Sequence, residues 1–174
     1  MDDPELQKMT AEGTAVFGEA VEMMADALGV ELDDVVCEAE YAAALTDLDL
    51  GSWQIGKGCV AGIAASWQGR VDGRTVVELN VRWKKAPVLE PDWPIQDGWV
   101  VEVQGRPTVR TTVQFLPPPD FQASSLADFM VLGHIMTAMP AVNAIPAVVA
   151  AAPGIVGYPD ITLPLPQGLV RLSG

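Results

Sequence analysis

Apolar residues in the first 28 positions recur at steps of three and four. Leu6, Met9, Val16, Ala20, Met23, Ala27 and Leu28 form one stripe, which predicts a helix over 4–28 with a single buried face. Asp3 is placed to cap that helix and Pro4 suits its first position. Gly29 supplies a stop. Gly13 and Gly18 weaken the helix and mark positions of close packing.

The period then falls to two. Residues 34–46 read as a strand, 47–52 as a loop, and 57–71 as a long strand rich in small side chains. Asp72-Gly73 is a two-residue hairpin turn. In the strand 74–85, Val77, Leu79, Val81 and Trp83 face one way, and Glu78, Asn80, Arg82 and Lys84 the other. Residues 86–97 hold three prolines and read as a loop. Two further strands follow, 98–105 and 107–116, and Pro117-Pro118-Pro119 ends the sheet region. Ser124 or Ser125 can cap a helix to about Met139. A second helix runs from about Ala141 to Ala152 and is stopped by Pro153-Gly154. The proline-rich stretch 155–174 reads as extended.

Segregated strands and helices predict one α+β domain over 1–174. Its sheet is largely antiparallel or mixed, of about four to six strands, with helices on one face. The other face carries Glu78, Arg82, Lys84, Glu102 and Arg110. That face is solvated, lines a pocket, or meets another subunit.

Charge narrows the partners. The net charge is −13, and residues 1–50 hold 14 of the 23 acidic residues with one base, Lys8. An acidic face repels phosphates, which argues against nucleic acid and against an anionic membrane surface. No charged side chain occurs from Phe129 to Tyr158, but Pro140, Pro146 and Pro153 divide that stretch, so buried helical pieces are expected rather than a membrane span. Cys37 and Cys59 lie in strand-like runs and read as buried free thiols, in keeping with a reducing cytoplasm.

Candidate chemistry is sparse. The run Gly56-Lys57-Gly58-Cys59-Val60-Ala61-Gly62 is off by one from a dinucleotide fingerprint and opens a strand rather than a helix. It reads as a tight turn with a close backbone approach at Gly62. His134 is the only histidine and sits among Leu132, Ile135 and Met136. It is either a hydrogen-bonded core residue or a donor to a ligand. Tyr41 and Tyr158 have the same two readings. Lys57, Arg82 and Arg110 could hold an anionic substrate, since arginine matches carboxylate geometry; cross-strand pairing with Glu78 and Glu102 is the competing reading. One histidine and scattered acids give no metal-ligand spacing.

The segment Val142-Asn143-Ala144-Ile145-Pro146-Ala147-Val148-Val149-Ala150-Ala151-Ala152-Pro153-Gly154 resembles the end of dehydrogenases related to dihydrodipicolinate reductase and 2,4-diaminopentanoate dehydrogenase. Val60-Ala61-Gly62, the long strand after it and the Asp72-Gly73 turn also look like that family. The resemblance covers roughly residues 10–165. It implies an enzyme with an N-terminal Rossmann domain for NAD or NADP, and a C-terminal α+β domain that builds the substrate pocket and the oligomer contacts. Imine reduction or amine oxidation is the implied chemistry. This chain corresponds to the second domain, so no cofactor is expected on it alone. The His-His-x-x-Lys segment of the reductase branch is absent.

Together these readings nominate His134, Asn143, Tyr41, Arg82, Glu102 and Arg110 as substrate-facing. They imply a small-molecule substrate, a cytoplasmic homo-oligomer formed through the sheet, and a separate Rossmann-domain polypeptide as partner. The alternative is a cofactor-free small-molecule binding protein, or an isomerase or cyclase, with an apolar cavity between the sheet and the C-terminal helices.

Overall fold

The computed structural model describes residues 3–51, 53–95, 98–122, 126–157 and 160–161, with backbone alone over 126–130. The expected cap at Ser124 or Ser125, Tyr158 and most of the C-terminal tail lie outside the described residues. The contacts divide the chain into two compact units, 1–97 and 98–174, each described by itself. The architecture is α+β, as the order of periods predicts.

The first unit opens with two helices where the stripe predicts one, α1 (Pro4–Gly13) and α2 (Ala15–Ala27). Asp3 caps α1, its carboxylate accepting from the amides of Glu5 and Leu6. Replacing Asp3 by alanine is expected to cost about 1 kcal/mol, read from a urea melt. The break falls at Thr14. Gly13 has open space around it and so is not a packing position, but next to Thr14 it is where the helix yields. The Thr14 hydroxyl donates to the Thr10 carbonyl at 2.7 Å and accepts from the Trp67 indole at 3.0 Å. A buried polar group needs such partners, and this pair fixes where the helices turn. Gly29 ends α2 with φ +68, a backbone angle glycine adopts without a steric cost.

Four antiparallel strands make the main sheet, in the order β5-β4-β1-β6. They are β1 (Asp34–Ala44), β4 (Val60–Val71), β5 (Arg74–Lys84) and β6 (Leu89–Glu90). The Asp72-Gly73 turn joins β4 to β5 with positive φ at both residues, 49 and 71, as the tight hairpin turn requires. The Asp72 amide also donates to the Asp33 carboxylate, which ties the turn to the start of β1. β2 (Leu48–Asp49) and β3 (Gln54–Ile55) pair as a short hairpin inside the stretch read as loop.

Helices α1 and α2 cover one face of this sheet. Val21, Ala25, Trp67 and Val77 form one buried cluster there, and Ala39, Tyr41 and Ala65 another. Gly18 lets α2 approach, since a β-carbon at that position would lie 2.6 Å from the Trp67 ring. The Gln7 side chain of α1 donates to the Ala39 carbonyl at 2.6 Å and accepts from its amide at 3.1 Å.

A third cluster, Ala42, Ala44, Ile55, Ala61, Leu89 and Trp93, sits at the other end of β1 and β4. It gives residues 86–95 a structure that their prolines do not predict. Leu89 is almost fully buried, and a β-carbon on Gly62 would meet its side chain at 2.6 Å. Gly62 is therefore the close approach that the glycine run predicts. That run forms a turn over 57–59 leading into β4, which begins at Val60 rather than 57. The turn leaves Cys59 exposed, against expectation; Cys37 is half-buried, and burial pushes its thiol pKa up.

The second unit holds β7 (Trp99–Val103), β8 (Val109–Val113) and α3 (Leu126–Ala150). The strands pair as an isolated hairpin, shorter than read and forming its own sheet. Helix α3 runs through Pro140 and Pro146 without a break, where the sequence reading sets two helices. Each proline removes one amide donor from the helix. The surrounding alanines carry small side chains of high helix propensity, and the helix persists.

Candidate functional site

In the main sheet, register assigns each polar residue to a face. Tyr41 stands opposite Ile63, which stands opposite Trp83, all on the helix-covered side. Tyr41 is buried, and its hydroxyl bonds Thr10 Oγ1 at 2.8 Å and donates to the Leu6 carbonyl at 3.0 Å. Its polar end is thus occupied by the helix–sheet contact.

The open face carries a row of linked side chains. Arg70 donates to Glu38 at 2.8 Å and to Gln68 at 2.7 Å. Gln68 accepts from Thr75, and Ser66 donates to Glu78 at 2.8 Å. Glu78 thus pairs with a serine, not with one of the arginines. One register step on, Glu40 stands opposite Ala64 and Ala64 opposite Arg82. Glu40 has no hydrogen-bond or ion-pair partner among the described residues. The small Ala64 leaves a low point between a carboxylate and a guanidinium.

Arg82 reaches the Pro94 carbonyl at 3.4 Å. Lys84, almost fully covered, donates to the Pro87 carbonyl, the Asp92 carboxylate and the Trp93 carbonyl. The Lys84 ammonium holds the Asp92 carboxyl below the usual carboxylate range. These bonds strap residues 87–94 to the end of β5. The sequence reading missed the strap, and the only signal for it was Lys84 alternating onto the polar face beside a proline-rich stretch. It also passed over Ser66, Gln68 and Arg70, whose alternation along β4 marks the same face.

Glu102 and Arg110 stand opposite each other on the hairpin and form a 3.3 Å ion pair. This is the cross-strand pairing weighed from the sequence. His134 and Asn143 are both exposed on α3, and nine positions at about 3.6 residues per turn set them on opposite sides of it. Within its own unit, then, Glu102 is brought into contact with Arg110, while Tyr41 and Arg82 lie on opposite faces of the main sheet. A hollow of about 310 Å³ lined by Glu22, Ala25, Asp26, Val30, Leu32, Asp33, Asp34 and Val35 holds none of the six nominated residues. Among the described residues, one helix stretch, Val131–Ala150, is long and apolar enough to cross a membrane by length and composition alone.

The glycine run bears on a dinucleotide. A pyrophosphate cradle is a strand–turn–helix, with the helix N-terminus aimed at the phosphates. Here the turn at 57–59 enters β4 instead, so this run does not fit the group, and no chemical step is derived through it.

The family model for the 2,4-diaminopentanoate dehydrogenase C-terminal domain matches residues 4–172. The chain belongs to that family. An amine dehydrogenase of Streptomyces virginiae is 28% identical over 179 residues, covering 99% of this chain and 47% of the relative. A 2,4-diaminopentanoate dehydrogenase of Acetoanaerobium sticklandii is 30% identical over 168 residues, covering 95% of this chain and 42% of the relative. The chain thus spans less than half the length of these relatives. As a diaminopentanoate dehydrogenase C-terminal domain it contributes no fingerprint glycines for a nucleotide, and the Val142–Gly154 segment that carries the resemblance lies largely within α3.

Proposed function

We propose that this domain is the substrate-binding and subunit-pairing part of an NAD(P)-dependent amine or imine oxidoreductase, and that it works with a nucleotide-binding half supplied by other sequence. The observation that carries the reading is the family match along nearly the whole chain, with relatives more than twice its length. Relatives named for amine oxidation support a substrate that is a cation at neutral pH. The open face of the sheet suits one: Glu40 would hold an ammonium, and Arg82, across Ala64, a carboxylate where the substrate carries one. Pairing of copies through the sheet and residence in the cytoplasm complete the proposal.

The test uses the tryptophans as reporters. Titrating the 174-residue chain with NADH and NADPH is expected to leave the fluorescence unchanged after inner-filter correction. Adding a nucleotide-binding polypeptide of the family is then expected to restore amine-dependent reduction of NAD(P). In that complex, Arg82→Ala should raise KM for an amino-acid substrate about tenfold with little change in kcat, the pattern for lost uniform binding. Saturable binding of NADPH by the chain alone would sink the proposal.

A further inference from the structure

One end of the open face of the main sheet is covered. Ala42 of β1 stands opposite Gly62 of β4, and Gly62 opposite Lys84 of β5. Residues two apart on a strand share a face, so this row lies on the same side as Glu40, Ala64 and Arg82. A β-carbon on Gly62 would meet Leu89 at 2.6 Å, Trp93 at 3.1 Å and Ala42 at 3.2 Å. Leu89 and Trp93, both buried, are thus laid on the open face, and Ala64 packs against their cluster. Glu40 and Arg82, on either side of Ala64, are exposed. The strap 87–94 therefore walls one side of the Glu40–Ala64–Arg82 row. The hydrogen-bonded pair of Ser66 and Glu78 bounds the other.

The two cations at this wall are used differently. The Lys84 side chain is only 9% exposed. Its ammonium donates to the Pro87 carbonyl at 2.6 Å, to the Trp93 carbonyl at 3.3 Å and to the Asp92 carboxylate. An ammonium has three donors, so Lys84 is fully engaged by the strap and has none left for a ligand. Arg82 makes one bond, to the Pro94 carbonyl at 3.4 Å, and no other among the described residues. A guanidinium has five donors in a fixed fork, so most of this one is available to an anion. The carbonyl that Arg82 touches follows directly on the one that Lys84 holds.

We propose that Lys84 is a positioning residue for the substrate's carboxylate. By pinning Asp92 and Trp93 it fixes the Pro94 carbonyl, and that carbonyl holds the Arg82 guanidinium ready beside Glu40. The inference rests on the reading of the Glu40–Arg82 row as the substrate site. A loose arginine loses side-chain freedom when it binds, and one already held loses less. The strap thereby favours amino acids over plain amines, through Arg82 and without touching the substrate by way of Lys84.

The test uses two probes that differ by one carboxylate, norvaline and butylamine, titrated into the nitrogen-15-labelled full chain and followed by NMR. Wild type should bind norvaline at least about tenfold more tightly than butylamine, and Arg82→Ala should abolish that preference. Lys84→Met should weaken norvaline about threefold to tenfold and leave butylamine unchanged. Asp92→Asn, which keeps both carbonyl bonds of Lys84, should act the same way and covers the case in which Lys84→Met does not fold. Added to Arg82→Ala, Asp92→Asn should have no further effect, since it acts through the arginine. A purely structural role for the strap would weaken both probes together. Equal binding of the two probes by wild type, no saturable binding of either, or a preference that survives Arg82→Ala would overturn the site itself. A preference lost with Arg82→Ala but intact in Lys84→Met and Asp92→Asn, or losses that add in the double variant, would overturn the role of Lys84 and leave the site standing.

Discussion

Replacing Trp67 by alanine is expected to cost about 3–5 kcal/mol, the range for removing a buried aromatic side chain from a core. The expected readout is a large fall in the urea midpoint, or a chain that does not fold cooperatively. Two losses combine. The ring fills the space beneath Gly18, where even a β-carbon would clash. Its indole N–H is also the donor to Thr14, so truncation leaves a buried hydroxyl without that bond. Trp67→Phe should cost less, about 1–3 kcal/mol, since it keeps one aromatic ring but loses both the indole N–H and part of the ring edge that meets Gly18. The reverse change, Gly18→Val, should cost about 1–3 kcal/mol by overpacking the same contact. If Trp67→Ala melts like wild type, α2 does not rest on this ring.

Leu89→Ala is expected to cost about 2–5 kcal/mol. Leu89 is the largest side chain in its cluster to be almost wholly buried, against Gly62 and beside Trp93. The loss should concentrate in residues 86–95, because β6 contributes only two residues to the sheet. Hydrogen exchange would show it as lost protection at Ala43, which pairs with Glu90, ahead of the centre of β4 and of Ala44, whose amide is held by the Cys59 carbonyl. Lys84→Met should add to the effect, since it removes the donor for two carbonyls and a carboxylate in the same loop. Uniform loss of protection across the sheet would instead make the cluster part of one cooperative core.

The periodic segments were legible. The alternation of β5, the Asp72-Gly73 turn and the Asp3 cap each follow from local chemistry, and the structure has them where the sequence sets them. The misses have physical causes. The break at Thr14 depends on an indole 53 positions away, which no local pattern reveals. β6 is too short to alternate, and its burial comes from a cluster assembled across three strands. Helix α3 defeats a proline rule because helix geometry tolerates the loss of two amide donors where its neighbours are small and apolar.

The nominated site residues fared according to how local their partners are. Glu102 and Arg110 sit in register on one hairpin, so pairing could be read from spacing. Tyr41 was placed on the right strand, but its hydroxyl partners lie on α1. The family resemblance rested on the Val142–Gly154 run, which gives the fold and not a catalytic role.

The Gln7 side chain has a consequence beyond α1. Strand β1 meets β4 on one flank, but on the other β6 reaches only Ala43 and Ala44. Among the described residues the rest of that flank is a sheet edge, the kind of open row onto which a foreign strand can add. Gln7 sits midway along it and engages both backbone groups of Ala39, as a strand would, but with a side chain that cannot propagate the ladder. The edge is thereby stoppered from within the same chain, which guards the domain against runaway strand-on-strand aggregation and leaves its faces and helices as the surfaces through which it can meet other molecules.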